Sequence, residues 1–479
     1  MSNIITVFAK HGGRLHEIRV DIDQSSLVLK QSLVEATGVP IERMKVMLKS
    51  GLLKDSEHLT STGLKDRQTV TVIGTADPIP RAPAQVIRQD SDHEPAPQTP
   101  HEPVGLVNLG QTCYLNSSIQ LIQQIPELQT ALEKLEVSRS TPEGRFASSV
   151  RTLSKNLQTS SKPIIPLELL GCLRDIAPQF AERDERGNFA QQDADEAFTQ
   201  ILTALRSGIM EDTDVATVIN RYMSIEMTKT QRCVEAEEEP TIATEKIFKL
   251  ECNIAIDTNF LVSGIQSHFD ERIEKRSSAL GRTALYDQHT KLSRLPAYLA
   301  VHLVRFYWRR DIGKKAKIMR KVVFPDRLDL LDLVTDDYRA RIQTVHHAAR
   351  EIIQNRDARG AALRKRDANI SGGDEETSLR EEERRRLDGI ISSNVGVDVG
   401  ANPTAIYELC GMITHKGASS DSGHYIAWTR NASQETDSKT WDQFDDDKVT
   451  PVDSAKVLSL NGGGEASVAY ILLYRPAVM

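Results

Sequence analysis

Near the start of the chain Ile4-Ile5-Thr6-Val7-Phe8-Ala9-Lys10 is rich in β-forming residues, and Leu15-His16-Glu17-Ile18-Arg19-Val20 alternates apolar and polar positions. A β-rich run and a period-two run on either side of His11-Gly12-Gly13 predict a β-hairpin. The period then changes. Leu27, Leu29 and Leu33 give residues 25–36 helical spacing, and Gly38 and Pro40 end that helix. Lys45–Leu48 and residues 70–73 supply two more strands. A hairpin, a helix and two strands within residues 1–75 predict a small α+β roll.

Residues 76–103 lose apolar periodicity and hold 7 prolines in 28 positions. They predict a linker that spans about 30 Å as a coil. A larger mixed domain follows over 104–476. Its pattern is mainly helical over 113–205. Strand-like runs dominate later, at 247–256, 299–306, 405–414, 424–429 and 468–474. Residues 350–388 interrupt them with 10 basic and 10 acidic side chains. That predicts a charged, solvated helical insertion, or else a partner-binding surface.

Composition narrows the class. With 39% of its 479 residues apolar and 27% charged, the chain can build cores and is not disordered throughout. A net charge of −7 and a pI near 6.0 argue against a broad basic face for nucleic acid. The five cysteines, at 113, 172, 233, 252 and 410, include no C-x-x-C pair. A disulfide scaffold and the usual zinc spacings are thereby excluded. The most apolar run, residues 295–306, carries His302 and Arg305 and has only 12 residues, where a membrane span needs about 20. The first residues form no long apolar segment. The expectation is a soluble protein of a reducing, intracellular compartment.

Residues 105–117, Gly-Leu-Val-Asn-Leu-Gly-Gln-Thr-Cys-Tyr-Leu-Asn-Ser, carry the most chemical information. Gly105 and Gly110 permit a tight loop. An amphipathic helix begins near Cys113, with Leu115, Ile119, Leu121 and Ile122 apolar. A thiol at a helix N-terminus sits at the positive end of the helix dipole, which favours the nucleophilic thiolate. Asn108 adds a polar group to the same loop. The other four cysteines lack this setting and are expected to be structural. A thiolate nucleophile needs a base, and the base needs an orienting group. In Asp421-Ser422-Gly423-His424-Tyr425 a glycine-flexed loop delivers His424 to the start of an alternating strand. The chain turns and returns as Trp441-Asp442-Gln443-Phe444-Asp445-Asp446-Asp447, which would lay Asp445 beside His424. Taken alone, an Asp-Asp-Asp run is a solvated turn. The order Cys, His, Asp gives it another meaning.

These segments resemble the ubiquitin-specific protease family. Residues 105–117 match its cysteine box, and 407–428 with 441–449 its histidine box. Gln191-Gln192-Asp193-Ala194-Asp195-Glu196 matches its Gln-Gln-Asp-Ala-x-Glu-Phe segment, with Ala197 where the family has Phe. Residues 295–306 and 469–475 match two family strands. Residues 1–75 resemble ubiquitin through the turn at 48–55, but continue Ile73-Gly74-Thr75-Ala76-Asp77 without a Gly-Gly tail. The resemblance implies an α+β architecture, a papain-like fold of fingers, palm and thumb preceded by a β-grasp ubiquitin-like domain. It implies a thiol-dependent deubiquitinase in which Cys113 is the nucleophile and His424 the general base and then acid. Asp445 would orient His424, a role Asp446 could share, and Asn108 would donate its amide to the oxyanion. Asp193 and Glu196 would hold the arginine-containing tail of ubiquitin, a solvated helix face being the plainer alternative. Tyr425 would line the substrate site.

Two features depart from the family. Many members bind zinc through paired C-x-x-C motifs, but here only Cys233 stands near the first and no cysteine near the second. No metal and no cofactor is expected. The insertion at 350–388 is additional. A ubiquitin-like domain, a proline-rich linker and a catalytic domain without zinc are most similar to the family's proteasome-associated members. That implies docking on the proteasome regulatory particle through residues 1–75, with Met47 and Ile73 in the docking patch unless both are core residues. It also implies recycling of ubiquitin there, cleft-gating loops near 308–320 and 415–423, and a cytoplasmic and nuclear location. No nucleic-acid or membrane partner is expected. Two other functions fit the same residues: a ubiquitin-binding adaptor with little turnover, and a protease for another ubiquitin-like modifier.

Overall fold

The computed structural model describes residues 3–73, apart from 12–13, 38, 40, 42–43, 49–50 and 54–57, and residues 102–478, apart from 137–138, 185, 208–213, 310–313, 366–372, 397, 420–421, 432–439 and 464–466. The chain clusters into two units, Met1–Ala96 and Pro97–Met479. The Gly12-Gly13 turn, Gly38, Pro40 and the expected linker up to residue 101 lie outside the described residues.

In the first unit, β1 (Ile4–His11) and β2 (Arg14–Asp21) pair antiparallel, with Val7 opposite Ile18. After α1 (Ser26–Thr37) come β3 (Lys45–Leu48), β4 (Gly51–Leu52) and β5 (Thr69–Ile73). The sheet order is β2-β1-β5-β3-β4, with β1 and β5 parallel. Strand alternation sends Val7, Ile18, Val46, Val70 and Val72 onto Leu29 and Leu33 of α1. Met47 points the other way, is 42% exposed and pairs with Thr71. Ile73 pairs with Lys45, and its side chain lies outside the described residues.

The second unit opens with helices: α2 (Cys113–Ile122), α3 (Pro126–Lys134), α4 (Pro142–Thr159), α5 (Leu167–Ile176), α6 (Ala194–Ser207) and α7 (Asp214–Tyr222). The short α8 (Leu261–Gln266) falls among the strands β6 (Ile225–Cys233), β7 (Thr241–Ile247), β8 (Leu250–Asn253), β9 (Asp270–Arg276) and β10 (Thr283–Arg294). Four of these make an arm in the order β7-β6-β10-β9. Where a zinc-binding relative would carry thiolates, Cys233 packs with Ala284 and Tyr286. The Glu238 carboxylate there accepts from the Tyr286 hydroxyl (2.7 Å), Ala279 N (3.1 Å) and the Ser277 hydroxyl.

The main sheet joins β8 to β11 (Leu299–Val304), β15 (Ile406–Ser419), β16 (Ser422–Arg430), β17 (Thr440–Asp445), β18 (Lys448–Asp453) and β19 (Val468–Pro476), in the order β18-β17-β16-β15-β19-β11-β8. The hairpin of β12 (Phe306–Arg309) and β13 (Lys314–Lys317) stands apart, and β14 (Arg327–Asp329) pairs with β15. Both faces of the sheet are covered, and its inner strand β19 is buried and apolar from Val468 to Tyr474. Along β19, Tyr470, Ile471 and Leu473 join the core beneath the helices, while Ala469, Leu472 and Tyr474 join the core on the other side.

Two expected strands are each broken in two. Residues 299–306 divide because Arg305 turns fully inward, where its guanidinium donates to Ala469 O (2.7 Å), Ile318 O (3.0 Å) and Arg320 O (2.9 Å). Residues 247–256 divide at Phe248 and Lys249, one stacking under Arg206 and the other reaching Asp195 of α6. The charged insertion is helical, as α9 (Asp336–Lys365) and α10 (Gly373–Asn394). It is not simply solvated. Arg359 binds Glu376 (2.9 Å) and Glu383 (2.7 Å) across the two helices, over a small core of Ala349, Ile352 and Leu387.

Candidate active site

The site forms where the loop before α2 meets the turn between β17 and β18. Leu106 N donates to Asp446 O (2.9 Å), and Val107 N to Ile164 O (2.8 Å). Gly105 has no alternative: a Cβ there would lie 2.5 Å from Asp446 O and 2.6 Å from the Asp447 carbonyl carbon. Gly110 and Gln111 then take positive φ values of 94° and 58°, tightening the approach to the helix. Asn108 Oδ1 accepts from Gly110 N (2.9 Å) and Thr112 N (3.3 Å), so this side chain braces its own loop. Cys113 is the first residue of α2 and only 2% exposed.

His424 enters on β16, opposite Lys416 of β15. Pairing of β16 with β17 sets Phe444 opposite Ala427. Continuing that register puts Asp445 opposite Ile426, two residues from His424 and on the same face. The His424 ring nitrogen Nε2 lies 2.6 Å from Asp445 Oδ1 and 3.9 Å from Asp446 Oδ2. A side-chain hydrogen bond with Cys113 raises the His424 pKa most, burial opposes it, and Asp445 adds to the rise, giving about 9. With Nε2 facing Asp445, Nδ1 is left for the thiol. The structure thus brings Cys113, His424 and Asp445 into one chain of contacts.

Asp446 is built in differently. It adopts φ +54°, and its two carboxylate oxygens accept from the Asn108 and Asn116 amides, each at 2.8 Å. Asn116 also donates to Leu106 O (3.2 Å). One carboxylate therefore ties the loop, the helix and the β17–β18 turn together. Asn108, expected to face an oxyanion, spends one amide hydrogen on this tie. Asn116 was not foreseen. Its spacing of three residues from Cys113, which puts both on one side of α2, was the available signal.

Asp193 stands just before α6. Its carboxylate receives Asp195 N (2.7 Å) and the Tyr470 hydroxyl (2.7 Å to each oxygen). Glu196 is exposed one turn on, and both line a cavity of about 210 Å³ with Asp195, His302, Phe306 and Tyr307. Tyr425 is buried, its ring 5.8 Å from that of Tyr470. Asp195, absent from the expected site, pairs with Lys249 and lies 3.5 Å from His302 Nδ1. No local pattern announces a pair 54 residues apart. Among the described residues, His424, Asp445 and Asp446 are the one group of His, Cys, Asp and Glu side chains close enough to share a metal ion. The hydrogen bond between His424 and Asp445 already engages two of those ligand atoms.

Comparison with known proteins gives a consistent result. The chain matches the ubiquitin carboxyl-terminal hydrolase family over residues 104–474 and the ubiquitin family over residues 5–77. It is 36% identical to Ubiquitin carboxyl-terminal hydrolase 6 of Schizosaccharomyces pombe, covering 98% of this chain and 99% of that one. Ubiquitin carboxyl-terminal hydrolase 14 of Caenorhabditis elegans is 29% identical, covering 96% and 91%. Among solved structures, the SAGA Ubp8/Sgf11/Sus1/Sgf73 DUB module bound to ubiquitin aldehyde is similar in fold, with a TM-score of 0.54. The likeness covers 80% of this chain and 71% of that one at 17% identity.

Proposed function

Because the chain belongs to the ubiquitin carboxyl-terminal hydrolase family, with a ubiquitin-like domain ahead of the catalytic one, and is a cysteine-type deubiquitinase, we propose that Cys113, His424 and Asp445 carry its reaction. The expected papain-like fold behind a β-grasp domain stands with that membership. One observation supports the assignment above others: His424 joins the Cys113 side chain to the Asp445 carboxylate.

The chemistry follows from that contact. The Cys113 thiolate attacks the carbonyl carbon of the last glycine of ubiquitin. The oxyanion meets the backbone N–H of Cys113 and the second amide hydrogen of Asn108. His424, held charged by its neighbours, gives its proton to the departing lysine amine as the C–N bond breaks, leaving a thioester. Water then attacks the thioester carbonyl, passing its proton to the imidazole. Collapse releases ubiquitin with a free carboxylate and returns the thiol. Asp445 keeps the ring oriented and stabilises the imidazolium. Asp193 and Glu196 take the cationic tail of ubiquitin, with the buried Tyr425 packed behind Tyr470, which lines that cavity.

The same reading gives residues 1–75 a docking role on the proteasome regulatory particle, where the enzyme would recycle ubiquitin from conjugates in cytoplasm and nucleus. Support comes from a separate N-terminal unit that presents Met47 and Ile4 outward and continues without a Gly-Gly tail. The test is intact mass after incubation with ubiquitin bearing a C-terminal electrophile, with and without purified proteasome. An adduct that needs Cys113 and grows with proteasome is expected. No adduct from a folded chain in either condition would leave a ubiquitin-binding adaptor instead.

A further inference from the structure

Lys317 ends the β12–β13 hairpin with its ammonium turned inward. All three of its hydrogens are directed at β15: to His415 O (2.8 Å), Gly417 O (3.0 Å) and His415 Nδ1 (3.0 Å). Burial and then the Arg305 cation lower the Lys317 pKa only to about 8, so it stays the cation at neutral pH. Burial, Lys317 and His424 push His415 down to about 3, so its ring is neutral. A neutral imidazole carries one N–H. Since Nδ1 accepts from Lys317, the hydrogen sits on Nε2.

That Nε2 is buried and has no hydrogen-bond partner within the described structure. Buried N–H groups are rarely left unpaired without a reason. Its position supplies one. A Cβ on Gly423 would fall 2.5 Å from Nε2, so only glycine lets the backbone cross this atom, and the next residue is His424. On its other sides the ring is held by Phe306 (5.2 Å) and Tyr425 (4.7 Å), and Phe306 also lines the cavity beside Asp193. The donor therefore lies against the backbone that delivers His424, on a ring packed against a residue that lines the cavity beside Asp193.

We propose that Lys317 and His415 are a positioning pair for the substrate: Lys317 fixes the ring tautomer, and His415 Nε2–H donates to a backbone carbonyl in the last residues of ubiquitin as they pass Gly423. The assignment rests on the deubiquitinase reading and adds residues to it. A backbone acceptor suits a tail ending in Gly-Gly, which offers no side chain to recognise there.

The test uses the full chain carrying Cys113→Ala, with affinity for ubiquitin measured by calorimetry. His415→Phe keeps a ring and removes the donor. It should weaken binding of intact ubiquitin roughly 3- to 10-fold and leave binding of ubiquitin lacking its last two glycines unchanged. His415→Gln, with an amide N–H of similar reach, should recover most of the loss. In ¹⁵N-histidine NMR the His415 ring should show a protonated Nε2 that shifts on adding intact ubiquitin. Lys317→Met should mix the two tautomers. Equal affinity in His415→Phe, an equal loss for both forms of ubiquitin, or an unchanged tautomer in Lys317→Met would each overturn the proposal. A parent Cys113→Ala chain that binds no ubiquitin would overturn the functional reading itself, and this with it.

Discussion

Replacing Asp446 by Asn isolates the role of the carboxylate that ties the catalytic loop together. Asparagine has the same shape and tolerates positive φ, so the φ of +54° should survive. The hydrogen bonding does not. Each oxygen of Asp446 accepts an amide hydrogen at 2.8 Å, from Asn108 and Asn116, and bonds to a charged acceptor are worth about 1.5–3 kcal/mol. In the variant one oxygen becomes an NH₂ that confronts an amide donor, and the remaining bond becomes neutral. Because Asn116 keeps Leu106 O at 3.2 Å as a second acceptor, the expected cost is about 2–4 kcal/mol. At about 2 °C per kcal/mol for a unit of this size, the thermal midpoint should drop by about 4–8 °C. With Asn108 unanchored, kcat on a fluorogenic ubiquitin amide should fall more than about tenfold, with KM little changed. Asp445→Asn should lower kcat while leaving the midpoint within about 1 °C, since that carboxylate is more open to solvent. If Asp446→Asn lost rate but kept its midpoint, Asp446 would be acting on His424, 3.9 Å away, and the anchoring argument would fail.

Four further outcomes are expected. Gly105→Ala should push the loop off the Asp446–Asp447 backbone, costing about 1–3 kcal/mol and most of the activity; a wild-type melting curve and rate would contradict the close approach. His424 is raised to about 9, so its imidazolium should persist to high pH and kcat/KM should fall only near pH 9. Its share of stability is complete below about pH 6.5 and lost as pH rises through 9. Asp445→Asn removes one source of the rise and should move the alkaline limb to lower pH, and an unmoved limb would count against the contact. Prolonged chelation should leave rate and melting unchanged, because a carboxylate organises the arm. Glu238→Gln should instead speed amide exchange at Ala279, whose N–H the carboxylate holds.

Much of the fold was legible because its segments carry their own period. Strands β2 and β16 follow local alternation and α1 helical spacing, while β1 is β-rich and β19 is a continuous apolar run. The cysteine loop and the His424 strand were legible for another reason, since glycine and polar residues mark turns that packing alone would not ask for. What stayed hidden depends on long-range pairing. Arg305 breaks an apolar run because three carbonyls from distant segments await it. Strand β9, Asp-Glu-Arg-Ile-Glu-Lys-Arg, reads as a charge run, and only the neighbouring β10 makes it a strand. The 350–388 stretch has the composition of a solvated surface, yet Arg359 matches two glutamates on the facing helix. Asp446 looked like a spare beside Asp445. Its task became visible only with both asparagines in place.

The position of β19 bears on how the protein is made. It is the last strand in chain order among the described residues, yet it lies between β15 and β11 in the middle of the main sheet. On a ribosome adding about 5–20 residues per second, something like 10–30 s separate the completion of β11, which ends at Val304, from that of β19, which ends at Pro476. Through that interval β11 lacks its antiparallel neighbour, and once β15 is made it too has an open edge. The first unit, by contrast, is complete by β5 and can fold while the rest is still being translated. A nascent chain would thus acquire its small domain early and its nucleophile's surroundings last. Unpaired strand edges at β11 and β15 favour aggregation in that window, and a stop codon between Ile73 and Val468 should yield a folded first unit attached to an unfinished enzyme.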